Sequence, residues 1–323
     1  MISPVIAPAL AQALEVVTVA PDGLKATVGE TTIEAPNAGV LTQKLSATLY
    51  QVIHTGREPV MSSRPRTLRD RALDQRLADA MPHRSTRTRA LVHPSAADGS
   101  FVAELNGLRV LLSEADQDTP LPQERPALAT LTLPAARPAL SPGFFLTDGS
   151  HGTGRSDQLL LRVYIHLTAP DPAPALWAAV LGHLEDQRLP YRAKISSNRD
   201  LYPRQDALVV YLGPQAWHAA LGVAQAVQGM PGLGPTTSPL LHPVAPGVGV
   251  AWEPDDPRPG RRGLSFGEHR TGVLAECLVH HALRNDGRSS EDVVAEGFLN
   301  ASIDPLSPAR NLGSPAVPVL GFV

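Results

Sequence analysis

Two stretches in the second half of the chain place basic and imidazole side chains where they could handle a phosphate-like anion. Residues 159–168 read LLLRVYIHLT. Side chains alternate across a strand, so Leu159, Leu161, Val163, Ile165 and Leu167 share one face, and Leu160, Arg162, Tyr164, His166 and Thr168 share the other. Residues 191–196, YRAKIS, repeat the pattern, with Arg192, Lys194 and Ser196 on the polar side. If both strands lie in one sheet with their polar faces turned the same way, His166 and Lys194 are neighbours across it. Like charges in that position favour loss of a proton or capture of an anion. The plain alternative is a solvated sheet face, with Lys194 protecting an edge strand.

Arginines extend the pattern. Arg204 stands just before the apolar run that carries Tyr211, at the entrance of a third strand, where taken alone it is a surface residue. Arg270 follows Ser265-Phe266-Gly267-Glu268, which fits a capping box. Its helical stripe runs through Leu274, Cys277 and His281, so it faces inward near a helix N-terminus, where a cation opposes the dipole. Glu268 or Glu276 could pair with it; a bound phosphate would also fit. His269 points elsewhere on this helix and is expected to be exposed. Histidines 151, 166, 183 and 218 are scattered among different elements, and no metal-ligand spacing appears. The glycines of GSHGTGRS (149–156) precede a strand and lack the G-K-[ST] ending, so this is an ordinary loop.

These residues need a frame. LLLRVYIHLT, YRAKIS and DALVVYL read as strands, with GVGVAW a shorter one. PAPALWAAVLGHLEDQ, PQAWHAALGVAQAVQG, SFGEHRTGVLAECLVHHAL and SEDVVAEGFLNASI read as helices. Strands and helices in this order predict an α+β fold, with a C-terminal mixed sheet packed with helices over residues 141–323. Residues 1–140 form a less regular N-terminal α+β region. It holds two short strands around Pro21-Asp22-Gly23, a helix with Leu41, Leu45, Leu49 and Ile53 on one stripe, and a hairpin around Asn106-Gly107. Residues 116–143 lack a clear period and read as a boundary or long connection. Arginines crowd between the first helix and the hairpin: Arg57, Arg64, Arg66, Arg69, Arg71, Arg76, Arg84, Arg87 and Arg89. They read as a solvated helix in a mobile loop or as a docking surface for an acidic peptide or partner.

Composition bounds the class. The chain has 323 residues, is 43% hydrophobic and carries a net charge of -3, the balance of a soluble globular protein with no bias toward nucleic acid. The single cysteine, Cys277, excludes an internal disulfide, fits a reducing cytoplasm and reads as buried filler. No apolar stretch is long enough to span a bilayer, and the N-terminal residues lack the cationic start of a signal peptide.

The stretch LRVYIHLTAPDPAPALWAAVL…LPYRAKISSNRDLYPRQDALVVYL, with GLSFGEHRTGVLAECL and FLNASIDPLSPARNLGS, resembles the HopA-type effector family from about residue 141 onward. Such domains look like the lyase components of class V lanthipeptide and thioamitide dehydratases, and more distantly like phosphothreonine lyases. The resemblance implies β-elimination of phosphate from phosphoserine or phosphothreonine in a ribosomal precursor peptide, giving dehydroalanine or dehydrobutyrine. It implies Lys194 as general base, His166 as general acid, Arg204 and Arg270 as phosphate ligands, and Tyr211 in support. Where the effectors carry a lysine two residues before their histidine, this chain has Tyr164, with Arg162 the nearest cation on that face. No cofactor is implied. The chain has no kinase signature, so a separate, kinase-like Ser/Thr phosphotransferase would supply the phosphate. The other reading is a non-catalytic module that binds a phosphorylated or acidic partner, which needs the arginines but not Lys194.

Overall fold

The computed structural model describes residues 5–59, 69–105, 107–154, 158–284 and 286–316. The N-terminal region starts with helix α1 (Pro8–Leu14) and a three-stranded meander, β1 (Val17–Val19), β2 (Lys25–Val28) and β3 (Thr31–Glu34). Three strands thus stand where two were expected. Helix α2 (Ala38–Leu49) follows, capped by the Asn37 side chain on the Val40 amide, and ends in a wider π-helical turn over Tyr50–His54. Its expected stripe, Leu41, Leu45, Leu49 and Ile53, is buried.

Helix α3 (Arg71–Asp79) is capped by Asp70. Beyond it, β4 (Ser85–Val92), β5 (Ser100–Leu105), β6 (Leu108–Ser113) and β7 (Ala127–Pro134) form an antiparallel sheet in the order β6-β5-β4-β7. The β5–β6 pair is the expected hairpin. β7 and β8 (Ala136–Ser141) occupy the stretch expected to be a connection. ALATLTLP does alternate, but its small residues weaken the period that marks a strand.

The second half carries β9 (Phe144–Asp148), β10 (Leu161–Leu167), α4 (Ala173–Asp186), β11 (Tyr191–Ser196), β12 (Arg204–Leu212), α5 (Ala220–Val227), β13 (His242–Ala245), β14 (Val248–Trp252), α6 (Phe266–Arg284) and α7 (Ser290–Asn300). A seven-stranded sheet runs β13-β14-β10-β12-β11-β9-β8, and each pair is antiparallel. The units β10-α4-β11 and β12-α5-β14 interlock, as in a split βαβ arrangement. β12 therefore lies between β10 and β11. The expectation that His166 and Lys194 sit on adjacent strands is corrected here: a helix links the two strands in sequence, but the later strand fills the gap between them.

The two sheet faces differ. One packs Val163, Ile165, Ala193, Ile195, Leu208 and Val210 under α4 and α5, with Trp177, Leu181 and Val223 buried in a continuous apolar core. The other is not the solvated face of the plain alternative. Instead α2 and α6 cover its β10–β14 side, and Tyr164, Val209 and Ala251 join a second core with Leu45, Leu49, Phe266 and Leu274. The N-terminal helix thus packs over the C-terminal sheet. Cys277 is buried in this core, as its stripe predicts. Among the described residues, no helix is long and apolar enough to cross a membrane.

Several arginines of the dense stretch are tied down. Arg57 donates to the Asp200 carbonyl (2.8 Å), Arg69 pairs with Asp74 (2.6 Å) and Arg76 with Asp171 (3.2 Å), while Arg84 caps α3 through the Ala78 and Met81 carbonyls. Arg64 and Arg66 lie outside the described residues. Arg71, Arg87 and Arg89 are exposed.

Candidate functional site

The site lies on the partly covered polar face. In register, Tyr164 of β10 faces Val209 of β12, which faces Lys194 of β11; one row along, Arg162, Tyr211 and Arg192 align in the same way. Two strand spacings separate Tyr164 from Lys194. His166 is a further two residues along, so its Cα stands on the order of 12 Å from that of Lys194.

A register shift delivers the next pair. Ile165 pairs with Leu208, but Leu167 pairs with Arg204, so β12 carries extra residues there. Alternation breaks: consecutive Ala207 and Leu208 both enter the apolar core, and Arg204 and Asp206 turn to the opposite face. The expectation of a surface Arg204 is corrected; it is 7% exposed. Its guanidinium grips Asp206 through Nε (2.5 Å to Oδ1) and Nη2 (2.9 Å to Oδ2), and Nη2 also donates to the Tyr50 hydroxyl (3.2 Å). Tyr50 donates to Asp206 Oδ2 (3.2 Å). Burial opposes the Asp206 carboxylate, yet Arg204, with smaller help from His54 and Lys194, holds it well below the usual range.

His54 descends from the π-helical turn onto this pair. It was not singled out from sequence. Its ring is almost fully buried, with Nε2 3.6 Å from Asp206 Oδ2 and Nδ1 without a hydrogen-bond partner. It meets Tyr164 edge-on at 5.4 Å. Burial, and then the fields of Arg204, Arg162 and Lys194, outweigh the pull of Asp206 and push it down to about 4. The approach needs Gly267 of the SFGEHR segment: a Cβ there would stand 2.2 Å from His54 Cδ2. Only the pairing of a helix-end histidine with a glycine more than two hundred residues later signals this, and sequence reading cannot connect them.

Arg162 pairs with Glu253 through Nε and through Nη2 (2.5 Å), and Nη1 donates to the Tyr164 hydroxyl at 3.4 Å. Its guanidinium lies 5.0 Å over the Tyr211 ring. Burial works against its charge, but Tyr164, Tyr211 and Glu253 more than offset that. Lys194 sits between the two arginines. Its ammonium lies 4.5 Å from the Phe144 ring centre and 5.9 Å from that of Tyr211, and Arg204 shares the Phe144 ring at 5.2 Å. No described residue gives Lys194 a carboxylate or hydrogen-bond partner. Three cations around two aromatic rings, with two carboxylates committed to the arginines, leave one positive charge uncompensated.

His166 and Arg270 stand apart from this centre. His166 is half-buried, and its Nδ1 contacts the Thr236 carbonyl at 3.0 Å. Burial lowers its pKa, with a smaller opposing effect from that hydrogen bond. Arg270 is fully buried beneath Phe266, 4.9 Å from its ring centre. Neither carboxylate that could have paired with it does so: Glu268 completes the capping box with Ser265 (2.9 Å), and Glu276 pairs with Arg261. Instead Arg270 donates to the Pro308 carbonyl (2.9 Å), Asn311 Oδ1 (2.8 Å) and His269 Nδ1 (2.8 Å). An arginine only donates, so His269 carries its proton on Nε2 and passes it toward Asp256 at 2.8 Å. His269 is therefore fully buried and not exposed as expected. Its inward turn follows from this Asp256–His269–Arg270 chain.

The sequence profile of the HopA1 effector protein family matches residues 135–310. The chain belongs to the HopA1 effector protein family. The matched span includes Arg162, Lys194, Arg204, Tyr211 and the SFGEHR segment but not His54. Two solved effector structures from Pseudomonas syringae are similar to it. That of pathovar tomato strain DC3000 has a TM-score of 0.46 and 12% identity, over 84% of this chain and 95% of the other. That of pathovar syringae strain 61 has a TM-score of 0.45 and 12% identity, over 84% and 99%. No curated protein matches the chain by sequence.

Proposed function

We infer that this HopA1-family chain is a phosphoserine or phosphothreonine lyase, eliminating phosphate from a phosphorylated precursor peptide in lanthipeptide-type biosynthesis. The observation that carries the reading is Lys194: a lysine without a carboxylate partner among the described residues, set between Arg204 and Arg162 on an aromatic floor. Phosphate drawn to these cations brings the α-carbon of its residue toward the lysine. Lys194, as the free amine, takes the α-proton; the C–H electrons form the Cα=Cβ bond; the Cβ–O bond breaks and phosphate leaves. No water is consumed. Arg204 and Arg162 stabilise charge that grows on the leaving group, Tyr164 and Tyr211 flank it, and Arg270 supports the helix beneath Phe266. A separate phosphotransferase supplies the phosphorylated peptide, and exposed Arg71, Arg87 and Arg89 are candidates for docking that partner or an acidic leader.

The leaving oxygen needs a proton from an imidazolium. His166 is the donor that the resemblance implies. His54 is the second reading, because its Nε2 stands 3.6 Å from Asp206 beside the cations; held near 4 by burial, it serves as a donor only when a bound phosphate dianion raises its pKa. His166→Gln and His54→Gln separate them: the variant lacking the donor loses about 10²–10⁴ in rate, and the rate is restored with a substrate whose leaving group needs no proton.

The reading is tested by incubating the full chain with a phosphothreonine peptide and following its mass. Loss of phosphoric acid to give dehydrobutyrine supports elimination. Return of threonine means hydrolysis, and an unchanged, bound peptide means a binding module; either overturns the lyase.

A further inference from the structure

The cationic face continues past Lys194. Arg192 is two residues back on β11 and points the same way, and its row continues to Asp148 of β9. Arg137 of β8 lies in the Lys194 row, across Leu146. Both arginines converge on Asp148, which is 4% exposed: Arg192 through Nε (2.6 Å) and Nη2 (3.2 Å), Arg137 through Nη2 (3.1 Å). Their side chains remain 34% and 31% exposed, enough to meet a ligand. One carboxylate thus faces two guanidiniums, and Arg137 Nε has no hydrogen-bond partner among the described residues. One guanidinium neutralises Asp148; the second leaves a surplus positive charge beside Lys194.

We propose that Arg192 and Arg137 form a second anion subsite, which takes an acidic side chain two positions from the residue that loses phosphate. This rests on the lyase reading for the first subsite. Spacing supports it. Two residues along β11 span about 6.8 Å, the same interval at which an extended peptide presents side chains i and i+2 on one side. A peptide lying extended along β11 therefore sets its phosphorylated residue over Lys194 and its second neighbour over Arg192. The substrate class is a phosphopeptide with Asp or Glu at one of these positions.

The test uses three phosphothreonine peptides: Glu at −2, Glu at +2, or Gln at both. Elimination rates and binding, by fluorescence anisotropy, are measured for the wild-type chain, Arg192→Gln and Arg137→Gln. Each variant leaves Asp148 one partner. Wild type should favour one Glu peptide about fivefold, as a partly exposed ion pair allows. The preference should appear in KM, shrink with salt and fall toward one in either variant. Equal binding and rates for all three peptides overturn the subsite while the lyase reading stands. A preference that survives in both variants overturns it too. If no peptide loses phosphate but a Glu peptide still binds more tightly through Arg192, the subsite stands and the lyase reading falls.

Discussion

The two faces of the central sheet use the same strands for opposite purposes. Beneath α4 and α5, Val163, Ala193, Ile195, Leu208 and Val210 pack against Trp177 and Leu181 in a continuous apolar core. On the other face, the same strands carry Arg162, Lys194, Arg204, Asp206 and Tyr211, and α2 brings Tyr50 and His54 down upon them. The apolar face tolerates substitution as long as volume is kept. The polar face is a network in which each buried charge depends on a named partner, and Lys194 is the group left over. A sheet that is dry on one side can hold charges rigidly on the other, which is what a preorganised anion site requires.

The largest expected effects on stability test that contrast. Asp206→Asn keeps the volume but leaves Arg204 buried without its anion, which should cost about 3–5 kcal/mol in denaturant unfolding. Leu181→Met, equally conservative on the apolar face, should cost less than about 1.5 kcal/mol. A reversed order would break the comparison.

The pH dependence ranks next. The folded-state pKa of His54 lies near 4, below its unfolded value of 6.5, so between those values the unfolded chain binds a proton that the folded chain does not. Stability attributable to His54 is present at neutral pH and falls as pH drops through that window, by about 3 kcal/mol at its lower end. Asp206, whose folded pKa is depressed, adds a further loss at lower pH. Unfolding measured at pH 7 and pH 4.5 should show a smaller difference in His54→Gln than in wild type.

Gly267→Ala should cost about 1–3 kcal/mol, because its Cβ displaces the His54 ring. The same change at Gly182 of α4, whose Cβ would meet nothing within 4 Å, should be neutral or stabilising by thermal melting. Lys194→Met should change stability least of the polar-face variants, by within about 1 kcal/mol, since it gives up cation–π contacts and no ion pair.

The sequence carried much of this design. Alternation in LLLRVYIHLT and YRAKIS separated the two faces correctly, and the capping box at Ser265 marked the start of α6. What stayed hidden was long-range. The insertion of β12 between β10 and β11 parts His166 from Lys194, and strand alternation cannot report strand order. The register shift that turns Arg204 inward lies in the pairing, not in the residues of β12 alone. His54 sits in a segment whose apolar stripe explains Ile53 and says nothing of the sheet below. His269 reads as exposed because it lies off the Arg270 stripe; its partner Asp256 lies in an irregular stretch before the helix, which helical periodicity cannot connect to it.

The central claim is that Lys194, which has neither a carboxylate nor a hydrogen-bond partner among the described residues, acts as the base in its free-amine form. It is tested most directly by the rate at which Lys194→Ala eliminates phosphate from a phosphothreonine peptide it still binds, with and without a small primary amine in solution. The account predicts a rate about 10²–10⁴ below wild type that rises with the concentration of free amine. Elimination at the wild-type rate without amine would contradict it.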